Sequence, residues 1–218
     1  MSSIKSQNQM IRKDNVQAAI SKGKIAIDVV LLPPDDVMDI CIEVNKKIKD
    51  KLFVLKKDDF VPHNSLCIGV VEEKKLPDVF AALTKLKDKL KPVPITIKAI
   101  ERAFGLRKSD GFNIEKNELL IKTHIMILTA LKPLLEFQSG DLTILFRKKG
   151  ETVSTIPRVL QDGYLNFSLD NYHPHITLGG KGAQWDYFPI NCLAHRLAVF
   201  HAGEHVTCRK LLFEMPLR

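Results

Sequence analysis

From Lys24 the chain reads Lys-Ile-Ala-Ile-Asp-Val-Val-Leu-Leu, an apolar, β-branched run closed by Pro33 and Pro34. A run of that kind bounded by prolines predicts a buried strand. Asp35 and Asp36 follow, and Val37, Ile40, Cys41, Val44 and Ile48 then recur at helical spacing. Prolines and acids at the front suit a helix N-terminus, where free N–H groups and the dipole favour negative charge. Residues 52–55 read as a short strand, 65–71 as a second buried strand and 77–90 as a helix. Beyond Pro92 and Pro94, the alternation of Ile95, Ile97 and Ala99 predicts a half-exposed strand over 95–104. Residues 118–123 read as a strand leading into a helix over 124–137. Three further strands are predicted at 175–178, 193–200 and 206–215, while 139–170 shows little period. Strands and helices mixed without strict alternation predict an α+β fold with antiparallel pairing.

The chain has 218 residues, which fits one domain or one domain of two tightly packed lobes. Residues 1–22 are polar and unpatterned and read as a flexible lead-in, with a single domain over 23–218. The polar start carries no signal-peptide core, and no apolar run reaches the ~18 residues of a membrane span, so a cytoplasmic protein off the membrane is expected. Four widely spaced cysteines, Cys41, Cys67, Cys192 and Cys208, form no C-x-x-C pair and read as reduced thiols. A formal net charge of +8 makes polyanions plausible partners, although the lysines of 46–51 and 85–91 also suit solvated helix faces.

One local pattern occurs twice. Pro62-His63-Asn64-Ser65-Leu66 is matched by Pro174-His175-Ile176-Thr177-Leu178, with Gly69 and Gly179 following. On a strand, residues i and i+2 share a face, so His63 with Ser65, and His175 with Thr177, point the same way. If the two units pair about a pseudo-twofold axis, two imidazoles and two hydroxyls converge on one cleft. That set suits a phosphodiester. One neutral histidine takes a proton from the attacking oxygen and the other, protonated, gives one to the leaving oxygen. Ser65 and Thr177 would donate hydrogen bonds to nonbridging oxygens. Histidine serves both roles because its ordinary pKa of about 6.5 lies near working pH.

With His63-Asn64-Ser65-Leu66 and His175-Ile176-Thr177-Leu178 in a small α+β chain, the sequence resembles the 2H phosphoesterase superfamily, which includes 2′-5′ RNA ligase-like and 2′,3′-cyclic phosphodiesterase proteins. The resemblance covers about 24–215, and Asn171-Tyr172-His173-Pro174 shares it. It implies a bilobal, pseudo-twofold-symmetric arrangement of antiparallel sheets with helices outside and a central cleft, one motif from each lobe, and no metal or other cofactor. His63 and His175 would be catalytic, with Ser65 and Thr177 binding substrate. The 112-residue interval between the histidines (63 to 175) exceeds that of compact members and implies an insertion within 105–170.

The expected activity is hydrolysis, or reversible formation, of a phosphodiester at a ribose 2′-oxygen: a 2′,3′-cyclic phosphate or a 2′-5′ linkage in RNA, oligonucleotides or small nucleotides. No Walker A pattern occurs, which argues against an ATP-driven ligase. The partner is then the RNA or nucleotide substrate, and a monomer is expected. Two rivals remain. A non-catalytic nucleotide- or RNA-binding module would use the same cleft, and a metallohydrolase would use His173, His175, His195, His201 and His205, whose spacing matches no zinc pattern. Gly179-Gly180-Lys181-Gly182 reads as a flexible loop before a phosphate nest. Arg147-Lys148-Lys149 reads as a solvated turn or an RNA grip. Tyr172 and Phe112 read as core before base-stacking platforms, and His124 as a core or helix-boundary histidine.

Overall fold

The computed structural model describes residues 23–103 and 109–218. The lead-in 1–22 and the end of the strand expected over 95–104 lie wholly or partly outside them. The elements are β1 (Lys24–Leu32), α1 (Asp35–Lys47), β2 (Asn64–Glu72), α2 (Leu76–Thr84), β3 (Val93–Arg102), β4 (Asp110–Ile114), α3 (Glu118–Leu131), α4 (Arg158–Gln161), β5 (His175–Thr177), β6 (Ile190–Ala194), β7 (Arg196–Ala202) and β8 (Cys208–Pro216), with short 3-10 turns between. The fold is α+β.

All eight strands join one antiparallel sheet in the order β6-β3-β4-β5-β2-β1-β7-β8. The two motif strands, β5 and β2, are the middle pair, so each motif heads a half of four strands. Ladders within the halves are long: eight pairs join β1 to β2 and six join β1 to β7. The halves meet at a single pair, Asn64 opposite Ile176. Only His195 separates β6 from β7, although β6 is one edge of the order and β7 lies next to the other. The sheet must therefore curl until its ends approach, and Leu217 donates its N–H to the His195 carbonyl across that gap (2.7 Å).

Local chemistry explains where elements begin. Asp35 and Asp36 lie in the first turn of α1 and Lys46 and Lys47 in its last, each complementing the helix dipole. Val37, Cys41 and Val44 face the core at i, i+4 and i+7. Residues 118–123 are not a strand: α3 runs unbroken from Glu118, because Asn117 accepts a hydrogen bond from the Leu120 N–H and caps it. The face Leu120, His124, Ile127, Leu131 is buried at helical spacing. Residues 52–55 are not a strand either. Their backbone is held by the buried Asn45 side chain, which donates to the Phe53 carbonyl and accepts from the Leu55 N–H. The expected strand over 193–200 is two strands broken at His195, and β4 has no counterpart among the strands that the sequence predicts.

One large apolar cluster lies between the sheet and α1–α3, and a smaller one, including Val30, Leu32, Met38, Val61 and Phe200, covers the opposite face near β1. No helix among the described residues is long and apolar enough to cross a membrane.

Candidate active site

Asn64 and Ile176 each directly follow their motif's histidine, so the one pair that joins the halves relates the two motifs by a local twofold. Antiparallel geometry then sets His63 beside Thr177 and Ser65 beside His175, all on the face opposite Asn64 and Ile176. All four side chains line one cavity of ≈ 200 Å³. Its walls are Ile156, Pro157, Arg158, Val159 and Phe167, from the segment between α3 and β5, and the His205–Val206 turn between β7 and β8. Opposite Thr177 stands Gly111 of β4. A Cβ at Gly111 would meet the Ile176 carbonyl at 3.1 Å and Ala103 at 3.3 Å, so glycine suits the close approach of β4 to β5 there.

Both rings are held alike on one side. The Nδ1 of His63 donates to the Val61 carbonyl (2.6 Å) and that of His175 to the His173 carbonyl (2.8 Å), each two residues back. This fixes the tautomer and turns each Nε2 toward chemistry. There the likeness stops. His63 Nε2 lies 3.4 Å from Oδ2 of Asp28, a carboxylate of β1 with no solvent exposure. Ser65 Oγ donates to the same Oδ2 at 2.7 Å. Nε2 of His175 has no such carboxylate among the described residues.

The two rings titrate in opposite directions. Burial pulls His63 down, but the Asp28 hydrogen bond and charge, with the carbonyls of Val61 and Val206, outweigh it and raise its pKa. Burial lowers His175, the His173 carbonyl only partly opposes it, and the charge of nearby His63 depresses it further. Burial likewise raises Asp28, against the pull of His63 and Ser65.

Behind the sheet, Asn64 ties the motifs together. Its Oδ1 accepts the His175 N–H and its Nδ2 donates to the Tyr172 hydroxyl, which donates to the Ser65 carbonyl. Tyr172 stacks on His124 at 4.1 Å, and His124 is spanned by the Leu66 carbonyl and the Leu169 N–H. Tyr172 and Phe112 are therefore core groups rather than base platforms, and His124 is a core histidine.

Other sequence candidates do not converge here. Gly180 N–H donates to Ser109 Oγ, and the N–H groups of Gly182 and Ala183 donate to the Asp110 carboxylate, so an internal anion already fills that nest. Lys148 pairs with Asp59, which also pairs with the buried Arg209. Ser65 and Thr177 both line the cavity, and the Ser65 hydroxyl also donates to Asp28. Among the described residues, Asp28, His63 and Cys208 are the one group with metal-ligand atoms within 4.8 Å of one another. Burial raises the Cys208 thiol pKa, and Ser65 already donates to the Asp28 carboxylate.

No family model matches the sequence, and no curated protein matches it. Solved structures do. A phosphoesterase superposes with a TM-score of 0.54 at 13% identity, covering 88% of this chain and 98% of that one. Escherichia coli LigT complexed with 3′-AMP gives 0.53 at 13% identity, covering 89% and 98%. TT0787 of Thermus thermophilus gives 0.55 at 14% identity, covering 89% and 98%.

The chain has the fold of the 2H phosphoesterases.

Within this 2H fold, sequence reasoning missed Arg158, which lines the cavity, and Asp28, which lies behind His63, and it weighed His205 only as a metal ligand. Only Asp28 carried a readable signal, as a lone acid inside the apolar run Ile25–Leu32, where an unpartnered carboxylate would be costly.

Proposed function

We propose that the protein is a metal-independent phosphodiesterase acting at a ribose 2′-oxygen, on a 2′,3′-cyclic phosphate or a 2′-5′ linkage, by paired-histidine acid–base catalysis. The observation that supports it is the twofold pairing at Asn64 and Ile176, which sets two imidazoles with opposed titration on one cavity floor. In-line displacement at phosphorus needs one ring to accept a proton as the attacking oxygen adds and another to give one to the departing oxygen. Thr177 supplies a hydroxyl toward the nonbridging oxygens. The apolar wall of Ile156, Val159 and Phe167 suits the face of a base, with Arg158 at the same rim. The fold shared with a LigT complex holding 3′-AMP is consistent with a nucleotide ligand.

The test is incubation with 2′,3′-cyclic mononucleotides and 2′-5′ dinucleotides in EDTA, with product analysis. Turnover that survives EDTA and vanishes in His63→Ala and His175→Ala is the expected result. Tight nucleotide binding by the wild type without turnover would favour the binding module instead, and loss of turnover in EDTA would favour a metallohydrolase.

A further inference from the structure

The two histidines are equivalent in register but not in surroundings, and the difference lies in one residue outside both motifs. We propose that Asp28 is a positioning residue that keeps the proton on Nε2 of His63, making His63 the general acid and leaving His175 as the base. This deepens the paired-histidine reading and rests on it.

The geometry carries the assignment. Nδ1 of His63 faces the Val61 carbonyl at 2.6 Å and Nε2 faces Asp28 Oδ2 at 3.4 Å. Both neighbours are acceptors, so the ring satisfies both only when both nitrogens carry protons. Ser65 donates its hydroxyl into the same Oδ2 at 2.7 Å. The two donors to Oδ2 oppose the burial that raises the Asp28 pKa, and negative charge on that carboxylate favours imidazolium in His63. The Val206 carbonyl adds a third acceptor for the ring. It is presented by a turn in which His205 (φ 62°) and Val206 (φ 57°) both take the left-handed conformation, which is rare for a β-branched residue.

The groups facing the pair from other elements do not compete for this role. Cys67 on β2, Cys208 on β8, Tyr164 and Tyr172 feel the Asp28 charge, and burial with that charge pushes their ionisation upward, so they stay neutral near pH 7. His175, across the local twofold, is driven toward its neutral form by burial and by the charges of His63 and His173, against the pull of the His173 carbonyl. His205 lines the cavity beside them.

The proton movement balances. As a water oxygen forms its bond to phosphorus, its proton passes to the lone pair on His175 Nε2. As the bond from phosphorus to the departing ribose oxygen breaks, His63 gives that oxygen its Nε2 proton. The cycle ends with His175 charged and His63 neutral, and exchange with solvent restores both. Asp28 stays a carboxylate and touches no substrate atom.

Two measurements test it. The first is a ¹⁵N titration of the wild-type imidazoles without substrate, which does not depend on the enzyme having the proposed activity. The expected result is a doubly protonated His63 at pH 7 beside a singly protonated His175. A neutral His63 at pH 7 would overturn the proposal. The second is the pH profile of kcat on a 2′,3′-cyclic nucleotide for wild type and Asp28→Asn. The alkaline limb should move to lower pH by about one unit or more, giving about a tenfold loss per unit at alkaline pH, while the acid limb stays in place. A uniform loss at every pH, with the alkaline limb unmoved, would mean that Asp28 serves only the fold. If Asp28→Asn does not fold, the wild-type titration decides. Wild-type protein without turnover would sink the phosphodiesterase reading, while the titration would still judge the Asp28–His63 pair.

Discussion

The half headed by His63 and the half headed by His175 are built on one plan and differ behind the ring. In the first, β1 sets Val30 opposite Ser65, and two residues earlier stands Asp28. In the second, β4 sets Gly111 opposite Thr177, and two residues earlier stands Ser109. Ser109 is buried, gives its hydroxyl to the Asp110 carbonyl and accepts the Gly180 N–H. A carboxylate in one half is thus replaced by a hydroxyl spent on backbone in the other. Repetition of a motif supplies two similar rings, and the unrepeated strand beside each decides which holds a proton.

Removing either ring is the strongest way to break this comparison. His63→Ala and His175→Ala should each lower kcat by about two to four decades with nucleotide affinity nearly intact, because each ring acts on a proton moving in the transition state. The double variant should lose far less than the product of the two, since acid and base work as one unit. Kinetics with calorimetry checks both, and wild-type turnover in His63→Ala would remove the acid–base assignment.

The hydroxyls should divide where the motifs suggest equality. Thr177→Ala should lower kcat/KM by about tenfold through lost hydrogen bonding to phosphate. Ser65→Ala should act mainly on the alkaline limb, since its donor goes to Asp28. Identical effects in both variants would return the site to symmetry. The pH profile of the wild type sharpens the same point. With unperturbed rings both limbs would fall near pH 6.5, about the ordinary histidine value. His175 lowered moves the acid limb below that value, because it must lose its proton to act, and His63 raised moves the alkaline limb above it. A plateau across neutrality is expected, and a narrow maximum at about 6.5 would show that neither shift operates.

Smaller effects probe the seam. Tyr172→Phe leaves Asn64 Nδ2 without its acceptor and should cost about 1–3 kcal/mol in chemical denaturation, with a modest loss of kcat as His175 loosens. Gly111→Ala puts a methyl 3.1 Å from the Ile176 carbonyl and should cost about 1–2 kcal/mol, with KM little changed.

Much of this was readable in the chain. The duplicated proline–histidine–hydroxyl pattern needed only the two-residue period of a strand to set its four side chains on one face. What was not readable shares a cause. β4 is Asp-Gly-Phe-Asn-Ile, poor in strand formers, because Gly111 admits the close approach of the Ile176 backbone and Asp110 serves the loop after β5. The start of α3 reads as a strand because Leu119–Thr123 is apolar enough for one, and its helical start depends on one Asn117 side chain. Ser65 could be placed by its spacing, but the direction of its proton depends on a carboxylate 37 residues earlier in the chain.

The strand order also sets a timetable for synthesis. β1 emerges early, yet one of its two neighbours is β7, so Ile27 must wait for His201. The half that carries Asp28 and His63 therefore keeps an open edge until β7 has emerged. The strands β3 to β6 of the other half are contiguous in sequence order and can pair as they appear. Such long-range closure slows folding and leaves a sticky β1 edge exposed meanwhile. A growing chain would thus close the four strands of its base-bearing half before the four strands of the half that bears its acid.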